Sequence, residues 1–304
     1  MPDRPLDIAI VVGEHSGDQL GAALVRALRE ATGGAVAFRG VAGPAMRAAG
    51  VESLFPLADI AVMGVTAVVP RLPTIMRRIR QTAAALTSRP PDVLVIIDSP
   101  DFTHRVARRV RRLRPHVPIV DYVSPSVWAW RPGRAKAMRT YVDHLLALLP
   151  FEPAVHARLG GPPTDYVGHP LIQRLAELRP DADERALRAT APMLLVLPGS
   201  RAVTVERLMP IFRETVARVH AEAGPFAITI PAVDHLAALI GRLAADWPAQ
   251  PEIVVGERAK LAAFRRARAA LVCSGTASLE LALAQVPMVV AYRVSPVEAR
   301  FTGL

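Results

Sequence analysis

Two aspartates, Asp98 and Asp101, follow the apolar run Val93 to Ile97. In open α/β sheets, ligands bind beyond the carboxyl ends of the strands, and a carboxylate raised there can serve as a general base. Asp101 suits the N-cap of a helix beginning near Phe102, which leaves Asp98 free for chemistry. A second cluster is Leu197-Pro198-Gly199-Ser200-Arg201. Gly199 and Ser200 offer backbone donors, and Arg201 offers a fixed fork of N–H groups that matches a diphosphate. Pairing of Arg201 with Glu206 is the plainer alternative.

A third cluster, Cys273-Ser274-Gly275-Thr276-Ala277-Ser278-Leu279-Glu280, runs from a strand through a hydroxyl-rich turn into a helix. Helix N-termini of this kind favour phosphate, so Ser274, Gly275 and Thr276 are candidate contacts. Glu280, one turn in, can accept bonds from ribose hydroxyls. No Walker lysine or Asp-x-Asp pair accompanies these turns. Leaving-group stabilisation by Arg201 and helix dipoles, with no metal and no cofactor, is therefore expected. Gly13-Glu14-His15-Ser16-Gly17-Asp18 sits at another strand-to-helix turn; it is not the dinucleotide pattern GxGxxG. It serves either an acceptor, through Glu14 and Ser16, or a plain turn capped by Ser16 or Asp18. Tyr122 to Arg131 reads as a strand running into a Pro-Ser-aromatic loop over the same sheet edge as Asp98. Ser126 and Trp128 of that loop can meet a sugar, or its aromatics can plug a domain interface. His169 marks a hinge and is expected to be structural.

The elements that must carry these turns alternate between strands and helices. Strands are predicted at 6–12, 93–97, 119–123 and 145–149, with helices at 17–31 and 102–113. Residues 168–192 are polar and proline-punctuated, without a strand. The alternation then restarts with strands at 193–197, 227–230, 252–255 and 270–273 and helices at 201–222, 234–245 and 276–284. Such a βαβ pattern predicts parallel sheets covered by helices. The organisation expected is a Rossmann-like domain over 1–168, a linker over 169–192, and a second Rossmann-like domain over 193–304. The two would face a common cleft.

Val65 to Ile79 places apolar residues among Arg71, Arg77, Arg78 and Arg80. Such a stretch suits a membrane interface, or a surface helix packed on the core. Pro70 and Pro73 predict an irregular backbone there. The arginines of 105–114 read as a solvated helix face that favours anionic lipid. Lys plus Arg is 37 against 27 for Asp plus Glu, a net charge of +10, which fits an anionic substrate or surface. No aromatic RNA-binding signature, zinc spacing or helix-turn-helix pattern directs that charge to nucleic acid. Cys273 is the sole cysteine, so internal disulfides are excluded and a reducing compartment fits. A polar N-terminus and the lack of a bilayer-length apolar run predict a cytoplasmic protein that at most lies on a membrane.

Taken together, the strings GEHSGD (13–18), GVAGPAMRAAG (40–50), VMGV (62–65), IDSPDF (97–102) and YVSPSVWAWRPGR (122–134) resemble the lipid-A-disaccharide synthase family. PFEP (150–153), VGHP (167–170), LPGSR (197–201), SGTASLE (274–280) and PMVVAYRVSP (287–296) extend the resemblance along nearly the whole chain. It implies a GT-B fold and an inverting transfer from UDP-2,3-diacylglucosamine to 2,3-diacylglucosamine 1-phosphate, on the cytoplasmic face of the inner membrane. Asp98 matches the family's essential aspartate and Arg201 an essential arginine near the UDP phosphates. The stretch Val62 to Arg80 corresponds to a region that meets acyl chains and the membrane surface. Self-association is left open. His15 stands where the family has a small residue. The family also continues past Leu304, so the second domain is expected to be incomplete. Other readings are a UDP-GlcNAc 2-epimerase or peptidoglycan-type transferase on the same fold, or a non-catalytic, membrane-associated UDP-sugar-binding remnant.

Overall fold

The computed structural model describes residues 4–61 and 69–293 of the chain. It divides into two compact units, Met1–Pro170 and Leu171–Leu304. In the first, the strands are β1 (Leu6–Val12), β2 (Val36–Val41), β3 (Glu52–Ser53), β4 (Val93–Ile97), β5 (Ile119–Tyr122), β6 (His144–Ala147) and β7 (Thr164–Tyr166). They form one parallel sheet in the order β3-β2-β1-β4-β5-β6-β7. Ile8 to Val12 and Leu94 to Ile97 are buried throughout, as strands covered on both faces require. The covering helices include α1 (His15–Ala31), α2 (Pro44–Ala48), α3 (Leu72–Ser88), α4 (Thr103–Leu113), α5 (Gly133–Met138) and α6 (Glu152–Arg158).

The prolines near residue 70 begin a helix rather than break one. Val69–Arg71 makes a single tight turn, and Pro73 stands in the first turn of α3. Proline's missing N–H costs nothing there, because first-turn N–H groups have no helical partner. From Ile79 on, Ile79, Thr82, Ala83 and Leu86 are buried, and Ile75 and Met76 pack against the same core. The apolar face from Ile75 onward is thus largely committed to the protein interior, whereas Leu72 is exposed. Val62–Val68 lie outside the described residues. The arginines after residue 104 are not uniformly solvated either. Arg111 bonds Pro115 O and Asp143, and Arg114 donates to Thr87 O at 2.9 Å.

In the second unit, α7 (Leu175–Leu178) and α8 (Ala182–Thr190) precede β8 (Met193–Leu197), α9 (Ala202–Ala223), β9 (Ala227–Ala232) and α10 (Asp234–Ala244). Then come β10 (Glu252–Val255), α11 (Glu257–Arg266), β11 (Ala269–Cys273), α12 (Thr276–Leu283) and β12 (Met288–Ala291). The sheet is parallel, in the order β10-β9-β8-β11-β12. Along β8, Val196 joins the core with Val205, Leu208, Phe212 and Ile240, whereas Met193, Leu195 and Leu197 join Phe264, Leu281 and Leu178. Side chains of a strand alternate in direction, so helices cover both faces of this sheet.

Of the stretch 169–192, read from sequence as a linker, residues 171–192 cluster with the second unit and carry the two short helices α7 and α8. Polar bonds hold it. Asp181 and Glu184 close a capping box at the start of α8. Arg188 donates to the carbonyls of Phe264, Arg265, Ala284 and Gln285 at 2.8–3.1 Å. α8 buries no residue, so it gives no apolar periodicity to read.

Candidate active site

Each sheet has one place where its winding reverses. In the first unit it lies between β1 and β4, and in the second between β8 and β11. Neighbouring crossovers run in opposite directions there, which leaves a crevice at the strands' carboxyl ends. The sequence puts GEHSGD after β1, IDSPDF after β4, LPGSR after β8 and CSGTASLE after β11. All of the phosphate- and proton-handling candidates therefore sit at the two reversal points.

At the first of these, Asp98 Oδ2 accepts a hydrogen bond from Ser16 Oγ at 2.9 Å, and Oδ1 accepts one from Ser99 N at 2.7 Å. Each oxygen keeps lone-pair capacity for a further donor. Asp98 and Ser99 both hold left-handed backbone, with φ of 54° and 45°. Two adjacent non-glycine residues in that region are strained and must be held by their surroundings. Thr103 Oγ1 donates to Asp98 O at 2.6 Å and Asp98 N donates to Tyr122 O at 3.3 Å, which fixes the turn on both sides. Gly13 is part of the same device: a Cβ on it would lie 2.3 Å from Ser99 Cβ, so only glycine admits the loop.

The caps differ from expectation. Glu14, not Ser16 or Asp18, occupies the N-cap of α1. Ser16 is spent on Asp98, while the buried Asp18 carboxylate accepts from Gly43 N, Ala45 N and Met46 N at 2.8–3.0 Å. Asp18 thereby ties GEHSGD to GVAGPAM and caps the short helix α2. Asp101 caps nothing: Phe102 is the N-cap of α4, without a side-chain bond, and the Asp101 side chain is 87% exposed. Helical N–H groups there are met instead by backbone carbonyls, as Thr103 N donates to Ser99 O at 3.0 Å.

The loop carrying Ser126 and Trp128 follows β5, the strand next to β4, so it begins beside Asp98. Its shape depends on His156, which the sequence alone did not single out, and on the string PFEP, which it gave no role. Ser124 Oγ lies 2.8 Å from His156 Nε2, and Trp128 meets Phe151 edge-on with ring centroids 5.1 Å apart. Glu152 accepts from Leu149 N at 2.8 Å. The string PFEP is thus the seat for the aromatic loop. Ser126 is exposed and Trp128 is partly so.

In the second unit, the two turns are neighbours, since Leu197 pairs with Val272. Gly199 has φ of 113°, and a Cβ on it would stand 3.0 Å from Thr204 Cγ2 and 3.6 Å from Cys273 Sγ. Burial pushes the Cys273 thiol up, and the Arg201 charge pulls it back, so Arg201 lies within electrostatic reach of the second turn. Arg201 is the N-cap residue of α9, and it is exposed together with Ser200, Ser274, Gly275 and Thr276. Gly275 is the N-cap of α12, with open space where a Cβ would be. Glu280 is buried and already engaged: Lys260 Nζ donates to it at 3.1 and 3.3 Å, and Arg174 stands 3.8 Å away. Among the described residues, no cluster of His, Cys, Asp and Glu is arranged to hold a metal, and no helix is long and apolar enough to cross a membrane.

Comparison with known proteins places these features in a family. A family model described as lipid-A-disaccharide synthetase matches residues 8–302. A lipid-A-disaccharide synthase of Nitrobacter hamburgensis is 58% identical over 293 residues, covering 96% of this chain and 74% of the relative. One from Rhodopseudomonas palustris is 56% identical, covering 95% and 74%. Among solved structures, UDP-GlcNAc 2-epimerase from Neisseria meningitidis bound to UDP-GlcNAc aligns with a TM-score of 0.66 at 11% identity, over 98% of this chain and 86% of its own. Acinetobacter baumannii MurG aligns with a TM-score of 0.61 at 15% identity, over 98% and 82%. At those identities the structural likeness speaks for the fold, two Rossmann-like units, and for that alone.

Proposed function

The chain belongs to the lipid-A-disaccharide synthase family, and from that premise we propose the reaction and the residues that carry it. The donor is UDP-2,3-diacylglucosamine and the acceptor is 2,3-diacylglucosamine 1-phosphate. The products are the disaccharide 1-phosphate and UDP. The transfer is a single inverting displacement. Asp98 takes the proton of the acceptor hydroxyl as its oxygen bonds to the donor's anomeric carbon, and the bond from that carbon to UDP breaks with its electron pair on the diphosphate.

The second unit holds the leaving group. Arg201 and backbone N–H groups around Gly199, Ser200, Ser274, Gly275 and Thr276 meet the diphosphate as its charge grows. Glu280 reaches the ribose while Lys260 and Arg174 keep it in place. Glu14, Ser16, Ser126 and Trp128 line the acceptor side in the first unit. Residues 1–168 form the acceptor- and membrane-facing domain, and 193–304, with the helices of 171–192 packed on them, form the UDP-sugar domain. The protein works in the cytoplasm, and the stretch Val62 to Arg80 meets the inner-membrane surface through the exposed Arg71, Leu72, Arg77 and Arg80.

One observation supports this reading above the rest: a braced carboxylate at one reversal point and exposed phosphate-type turns at the other. The test mixes the purified chain with both substrates and follows UDP and disaccharide phosphate. Equimolar appearance of the two, dependent on the acceptor, is expected. UDP binding without turnover would overturn the transferase reading in favour of a binding protein.

A further inference from the structure

Between the start of α4 and α5 lies a cavity of about 440 Å³ whose lining includes His104, Arg105, Arg108, Arg131 and Arg134. Asp101 is the one carboxylate in that lining; its side chain is largely in solvent, 3.9 Å from Arg134. Among the described residues, Arg105 and Arg131 make no ion pair, in contrast to Arg111 on the same helix. A concave surface with this many guanidinium groups and so little compensating charge selects an anion, and planar N–H forks match phosphate oxygens.

The cavity is built rather than incidental. His104 is 4% exposed and uses both ring nitrogens. Its Nδ1 lies 3.0 Å from the Tyr141 hydroxyl, which accepts from Arg108 Nη2 at 3.2 Å. The hydroxyl then donates to Nδ1, and Nε2–H faces Asp121 Oδ2 at 3.1 Å, an ion-pair distance without hydrogen-bond alignment. Arg108 also stacks on the Tyr141 ring, 4.7 Å from its centroid. Arg131 holds left-handed backbone at φ 53° with its guanidinium over Trp130. A buried chain thus fixes one arginine, and a strained turn presents another.

Position gives the ligand. Pro100, which lines the cavity, is two residues beyond Asp98, and a chain reaches at most ~3.6 Å per residue, so the Pro100 Cα is within ~7 Å of the Asp98 Cα. A sugar acylated at positions 2 and 3 and phosphorylated at 1 can attack only through its hydroxyls at 4 or 6. Its phosphate then sits across one ring from the reacting oxygen. We propose that Arg105, Arg108, Arg131 and Arg134 form a phosphate-monoester subsite, and that it receives the 1-phosphate of the acceptor. This assignment rests on the transferase reading above.

The experiment compares kcat/KM for the phosphorylated acceptor with that for its dephosphorylated analogue, in the full chain and in Arg105→Gln and Arg131→Gln. The full chain should prefer the phosphorylated sugar. Each substitution should shrink that preference by about tenfold, the effect of losing one charge-assisted bond. Arg105→Lys, which keeps the charge without the fork, should fall between. The ratio is internal to each preparation, so partial unfolding leaves it unmoved. Unchanged ratios in both glutamine variants would overturn the subsite. So would loss of sedimentation with phosphatidylglycerol vesicles at an unchanged ratio, which would give the cavity to a membrane headgroup. Calorimetric titration of the two sugars without donor separates the readings: selective binding of the phosphorylated form without turnover keeps the subsite and refutes the transferase.

Discussion

The two sheets reverse their winding in the same way and raise opposite chemistry where they do so. At the β1/β4 reversal the feature offered is a half-buried carboxylate, and everything around it is braced. Ser16 and Ser99 N bond both Asp98 oxygens, Gly13 leaves no room to spare, and two residues hold left-handed backbone. At the β8/β11 reversal the exposed features are hydroxyls, backbone N–H groups and Arg201, with open space at Gly275. Topology decides where a ligand can sit, and the few residues in the turn decide which charge it meets. On the proposed reading, the braced carboxylate is aimed before the reaction, and the exposed donors of the other turn meet the diphosphate.

The hardest test of the contrast is Asp98→Asn, which keeps the shape of the turn and removes the base. Turnover should fall by about 10²- to 10⁴-fold in steady-state assays. Near-normal kcat would leave the braced turn without a chemical purpose. Ser16→Ala removes one of the two braces. Turnover should drop by roughly tenfold, as for loss of one hydrogen bond to a charged group, with the KM for donor little changed. A change confined to the donor KM would blur the division of labour.

A smaller effect comes from His156, which seats the aromatic loop. Ser124 Oγ donates to Pro125 O at 3.0 Å, so His156 Nε2–H faces Ser124 and Nδ1 is buried without a partner. Burial therefore holds the His156 pKa below its ordinary value. A depressed pKa gives stability that is present above the unfolded histidine value, near pH 6.5, and is lost as pH falls toward the folded value. Melting of the first unit should move down by about 2–4 °C for each ~1 kcal/mol lost on going below pH 6.5. Acid-insensitive melting down to pH 5 would contradict this account of the loop.

Much of this contrast was legible in the residues. β4 and β8 begin and end where their apolar runs do, because a strand covered on both faces has no polar positions to blur its limits. The turns were legible for the same reason: glycine, serine and charge break off the apolar run at once. Caps and polar braces were not. Whether Asp18 caps its own helix or bonds three N–H groups of α2 depends on a contact 25 to 28 residues away in sequence. Helix α8 escaped because Arg188 and carbonyls hold it rather than apolar spacing, and α7 because a four-residue helix with one buried leucine, Leu178, shows no period. Pro73 looked disruptive because its position in the first turn of α3 shows only once the helix is seen.

On the proposed reading the two reversal points divide the work, proton removal at one and UDP binding at the other. Titration of UDP into Asp98→Asn and Arg201→Gln, side by side with the unaltered chain, tests it most directly. Asp98→Asn should bind UDP as the unaltered chain does, and Arg201→Gln should bind it roughly 10- to 100-fold more weakly. Equal losses in both, or a loss in Asp98→Asn alone, would contradict the division.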